Sequence, residues 1–148
     1  GCGVCLMHMQ GEPRTMQKNP VYTDLLSEVK SFLAERARAL TDLGVSAEKI
    51  VLDPGFGFGK TVSQNFELLA KTEDFLSLGY PLLYGMSRKS SLGAVTGITK
   101  AEERLISSVT AHLLAVERGA SIVRVHDVKQ MKEALTIYKA MVHYKDLK

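Results

Sequence analysis

Four short apolar runs, Val4 to Met9, Ile50-Val51-Leu52, Pro81 to Met86 and Ser121 to Val125, alternate with longer segments whose apolar residues recur at helical spacing. Few folds accept this alternation, because strands joined through helices run parallel and their crossovers are right-handed. After the Glu12-Pro13-Arg14 loop and Pro20, one helical stripe carries Leu25, Leu26, Val29, Phe32, Leu33, Ala37, Leu40 and Leu43, and Gly44 stops it. Ser63 is placed to cap a second helix that turns Phe66, Leu69, Ala70 and Phe75 inward and ends at Gly79. Thr99 with Glu102 reads as a capping box for a third helix through Leu105, Val109, Leu113 and Val116, closed by Gly119. Asp127 is placed to cap the last.

Two α/β architectures accommodate four such units. A small doubly wound sheet carries helices on both faces and binds its ligand at a switch point. A (β/α)8 barrel needs about 250 residues, so four units make half of one. The first run begins almost at residue 1 with no helix before it, which reads as a chain cut within a larger barrel.

Composition narrows the function classes. The chain of 148 residues has 45% hydrophobic and 24% charged residues and no low-complexity tract, so it can bury a core as one domain. Its apolar stretches fall far short of the roughly 20 residues of a membrane helix, and no basic-then-apolar leader opens it. A cytoplasmic, soluble protein with no membrane partner is therefore expected. A net charge of +3, spread among acids, argues against nucleic acid and for a small anionic substrate. Cys2 and Cys5 form a lone C-x-x-C within the first apolar run, expected to be two ordinary buried thiols of a reducing compartment. No pair of histidines stands at ligand spacing, so no metal ligand is assigned in this chain.

The polar segments carry the chemistry. Met7-His8-Met9-Gln10-Gly11, Asp53-Pro54-Gly55-Phe56-Gly57-Phe58-Gly59-Lys60, Ser87-Arg88-Lys89-Ser90 and Arg124-Val125-His126-Asp127 each follow an apolar run. Parallel strands bring such exits to one rim. That rim offers a carboxylate, a lysine, two arginines and histidines, which suits a ligand with a hydrogen-bonding ring and an anionic tail. The glycine-rich stretch is not a nucleotide loop: Pro54 stands where a Walker A loop needs glycine, and Lys60 takes the third glycine position of a dinucleotide fingerprint. Each segment also has a plain reading. Asp53 can bond its own turn, Ser87 to Ser90 can be a solvated loop, His8 can be a core histidine, and His112 and His143 read as structural or surface residues.

In this order and spacing the four segments resemble the second half of bacterial dihydropteroate synthases, from about residue 4 to residue 142. The first four strand-helix units of that family have no counterpart here. The resemblance implies a TIM barrel in which 4-aminobenzoate displaces diphosphate from a (7,8-dihydropterin-6-yl)methyl diphosphate, in an enzyme class targeted by sulfonamides. It implies a homodimer, and Mg2+ whose protein ligand lies in the missing half. On the family's positions Asp53 and Lys89 read the pterin and are the catalytic pair, and Met7 walls the ring. Arg124 and His126 anchor the diphosphate, while Ser87 and Phe58, with Gly57 in the same loop, border the substrates. A pterin's ring N–H and exocyclic amine match the two oxygens of one carboxylate, which makes Asp53 the specificity residue. A pterin-binding methyltransferase would share Asp53 but has no reason to carry Arg124 with His126. Half a barrel by itself is expected to lack synthase activity and to dimerise, aggregate or borrow strands.

Overall fold

The computed structural model describes residues 1–146 and lays the apolar runs side by side as parallel strands. Strand β1 (Val4–Met7) pairs with β2 (Ile50–Asp53) in the register Val4 to Ile50 through Met7 to Asp53. A bridge from Leu52 to Leu82 joins β2 to β3 (Leu83–Tyr84), which pairs with β4 (Ile122–Val123). Spatial order follows chain order without a reversal. A doubly wound sheet would reverse at a switch point, so the four units form a barrel arc.

Burial separates the two faces of that arc. Leu52, Leu82 and Tyr84 are fully buried toward the helices. They meet Leu25, Val29, Leu33 and Ala37 of α1 (Leu25–Asp42), and Leu68 and Leu69 of α2 (Val62–Ala70). Ala111 and Ala115 of α4 (Leu105–Glu117) complete the packing beneath β3. On the opposite, inner face Val51 and Leu83 are half-buried and Cys5 is exposed. The expected burial of Cys2 and Cys5 is thus corrected: Cys2 precedes β1, and alternation turns Cys5 to the inner face, which nothing among the described residues covers.

Several boundaries differ from the sequence expectation. Thr61, not Ser63, caps α2: its hydroxyl accepts from Gln64 N–H while the Gln64 side chain accepts from Thr61 N–H, a complete capping box. Phe75 lies beyond α2, in a 3-10 segment, Thr72–Leu78, closed by Gly79. Thr99 and Glu102 form no capping box, because a 3-10 turn at Ala101–Glu103 intervenes before α4. A short helix α3 (Ser90–Thr96) follows the third polar segment and has no apolar stripe to announce it. Asp127 precedes α5 (Val128–Val142) without capping it. Among the described residues no helix is long and apolar enough to cross a membrane.

Candidate functional site

Asp53 ends β2 beside Met7 of β1 and is 3% exposed. Its carboxylate accepts the Gly55 N–H at 2.8 Å, as the plain turn reading expected. Burial raises its pKa above the usual carboxylate value, against the pull of that N–H and of Lys89, Arg124 and Lys60. The three cations so named converge on it from three different segments.

Lys89 reaches the site from the exit of β3. Its ammonium donates to the Phe56 carbonyl and stands 4.3 Å from the centroid of the Phe58 ring. Burial pushes its pKa down to about 8, although Asp53 opposes the shift. Gly57 makes this path open: a Cβ there would come within 2.9 Å of the Lys89 stem, and its φ of +83° suits glycine. Gly85 does the same for Arg124, since a Cβ would approach a guanidinium nitrogen to 2.8 Å.

Ser87 and His126 meet across the exits of β3 and β4. The Ser87 hydroxyl oxygen accepts the His126 backbone N–H at 3.2 Å and lies 3.0 Å from its Nδ1. Together with Phe58, Lys89 and Arg124 they line a cavity of about 350 Å³ floored by Gly85 and Val125. Five of the eight residues singled out from sequence thus share one cavity. Asp53 adjoins it through its charge on Lys89 and Arg124, and Gly57 through Lys89, whereas Met7 is tied to the site only through its pairing with Asp53.

Arg88 points elsewhere. Its φ is +60°, its N–H donates to Ser108 at 2.8 Å, and its carbonyl accepts from Arg104 at 2.8 Å. Its guanidinium grips Asp127 with two bonds of 3.1 and 2.6 Å, which is why that carboxylate caps no helix. The third segment is therefore strapped to the fourth rather than solvated. His112 is structural, as read: Nε2 accepts Met86 N–H at 3.0 Å and Nδ1 lies 2.7 Å from the Ser108 carbonyl, which fixes one neutral tautomer. His143 is a surface residue, 3.9 Å from Asp146.

Sequence reasoning missed the supports. Lys60 is 2% exposed and Asn65 1% exposed, and both hold the glycine-rich loop from inside. Periodicity does not announce a buried lysine, because the residue type is nearly always solvated. Gly85 had no signal beyond being a glycine inside an apolar run. Among the described residues there is no group of three or more His, Cys, Asp or Glu that could hold a metal ion by itself. The cavity wall is cationic instead.

A family profile described as pterin binding enzyme matches residues 1–126. The dihydropteroate synthase of Escherichia coli K12 is 45% identical over 148 residues, all of this chain and 52% of the relative. The crystal structure of dihydropteroate synthase from Stenotrophomonas maltophilia with active site-bound imidazole matches with a TM-score of 0.93 at 51% identity, over 95% of this chain and 53% of that one. The Xanthomonas albilineans enzyme in complex with 7,8-dihydropteroate matches with a TM-score of 0.88 at 43% identity, over 95% and 51%. The chain spans about half the length of the curated relatives it matches.

Proposed function

The chain belongs to the pterin-binding enzyme family, and from that membership we propose that it supplies the pterin- and diphosphate-recognising half of a dihydropteroate synthase. The observation that carries this reading is the cavity where Lys89, Arg124 and His126 converge beside a buried carboxylate. Asp53 accepts the ring N–H and exocyclic amine of the pterin on the lone pairs that Gly55 leaves free. Lys89 donates to the ring's acceptors, and Phe58 and Ser87 border the incoming amine.

The reaction follows from charge. The neutral aromatic amine of 4-aminobenzoate attacks the pterin methylene carbon, and a carbon–nitrogen bond forms as the carbon–oxygen bond to diphosphate breaks. The bonding pair leaves with the diphosphate, and the amine's proton passes to it or to solvent. Arg124 and His126 meet charge that grows on the leaving group, so they favour the transition state over the bound ester. Asp53 stabilises positive character on the pterin. A methyltransferase of the same family would use Asp53 alike, but the cations of this cavity favour a diphosphate substrate.

Calorimetry with 6-hydroxymethylpterin and its diphosphate ester tests the assignment. Asp53→Ala is expected to abolish binding of both with an unchanged circular dichroism spectrum, and unchanged affinity removes Asp53 from the ligand site. Arg124→Ala is expected to weaken the ester by about tenfold more than the free pterin, the worth of one charge-assisted hydrogen bond. Equal losses contradict the anchor role. The 148-residue chain alone is expected to show no turnover of 4-aminobenzoate, and robust turnover overturns the half-site reading.

A further inference from the structure

The buried Lys60 is not among the residues lining the cavity described above, yet its ammonium touches both sides of the pterin-reading apparatus. Its Nζ lies 2.9 Å from His8 Nδ1, 3.1 Å from the Gly55 carbonyl and 3.0 Å from the Phe58 carbonyl. Three N–H donors thus have three acceptors, the condition under which a buried ammonium is tolerated. Each acceptor leads to the site. Gly55 is the residue whose N–H holds the Asp53 carboxylate, and Phe58 carries the ring beneath the Lys89 ammonium. His8, 6% exposed, donates its backbone N–H to the Asp53 carbonyl at 3.0 Å and packs edge-on against Phe32.

Asp53 is therefore framed twice, through its side chain by Gly55 and through its backbone by His8, and Lys60 joins the two frames. Asn65 and Tyr22 hold other atoms of the loop, Gly57 N–H at 2.6 Å and the Gly59 carbonyl at 2.8 Å, but neither bonds Gly55 or His8. An apolar side chain of equal length would fill the same space without desolvating a charge. What the ammonium adds is a donor to the Phe58 carbonyl and a second donor to the Gly55 carbonyl, which also accepts the Phe58 N–H at 3.0 Å. We propose that Lys60 is a positioning residue that sets the Asp53 carboxylate and the Phe58 ring for the pterin before it binds, a role that rests on the pterin reading above.

The test compares the intact chain with Lys60→Met, using 6-hydroxymethylpterin and inorganic pyrophosphate as separate calorimetric probes. Measured below about pH 7, where Lys60 keeps its proton, pterin affinity is expected to fall about tenfold, one charge-assisted bond's worth. Pyrophosphate affinity is expected to hold, because Arg124 and His126 make no hydrogen bond to Lys60. A merely structural lysine would lower both, so equal losses or an unchanged pterin affinity overturn the proposal. A ligand-free arm follows the Asp53 carboxyl by NMR titration and the Gly55 amide by hydrogen exchange. The substitution is expected to move the carboxyl to higher pH and speed the exchange, and if neither changes Lys60 does not position the carboxylate. A wild-type chain that binds neither probe defeats the proposed function while this arm still decides the role of Lys60. If Lys60→Met does not fold, His8→Phe removes one acceptor and keeps the lysine: faster Gly55 exchange supports the proposal, and an unchanged rate overturns it.

Discussion

At the scale of single residues the site depends on where three cations lie around one carboxylate. Because burial holds Asp53 above the usual carboxylate range, pterin binding should weaken on acidification at a higher pH than an ordinary aspartate would dictate. Lys89, pushed down to about 8, loses its charge as pH rises through that value, so affinity should fall again on the basic side. Calorimetry with 6-hydroxymethylpterin between about pH 4 and 10, a span that covers both side-chain types, reads the two limbs. Lys60 carries a stability consequence of its own. With a folded pKa of about 7 against 10.5 ordinarily, the unfolded chain binds the extra proton between those values, so this residue's contribution to stability rises with pH across that window. Urea midpoints should climb less steeply there in Lys60→Met than in the wild type. That Asp53, Lys89, Arg124 and His126 gather at one rim was legible in the sequence because each follows an apolar run and the pattern recurs. Lys60, Asn65 and Gly85 were not, since each acts through a close approach that only the fold creates.

At the scale of elements, period and punctuation located the helices α1, α2, α4 and α5 but put the caps of α2 and α4 on the wrong residues. Thr61 outcompetes Ser63 as cap because Gln64 stands three residues on, within reach of its N–H. Thr61→Ala should cost about 1 kcal/mol in urea denaturation, the usual worth of a cap, while Ser63→Ala should change little. Asp127 was assigned to a cap and instead serves Arg88, a tertiary demand invisible to a local pattern. Hydrogen bonding to Arg88 holds its carboxyl below the ordinary value, so the stability it adds is present above about pH 4, the unfolded value, and fades as pH falls below it. Thermal melts should therefore show Asp127→Asn lowering Tm at neutral pH and converging with the wild type in acid. β1, β3 and β4 are shorter than their apolar runs, whereas β2 continues past its run to Asp53.

At the scale of the whole molecule the alternation read from sequence was enough to give a parallel arc, and the arc's strand order chose the barrel over the doubly wound sheet. Two strand edges and an inner face that no described element covers leave apolar and hydrogen-bonding surface open. Sedimentation velocity at rising concentration should accordingly show association of the chain, and a sedimentation coefficient independent of concentration would refute that expectation. The exposed Cys5 thiol makes this surface chemically readable. It sits on the inner face, within the electrostatic reach of Asp53 and Arg124, where any strand that closes the barrel must pass in front of it. In a Cys2→Ser variant, maleimide should label Cys5 more slowly once the face is covered than in the open arc, so the remaining thiol reports barrel closure by its alkylation rate.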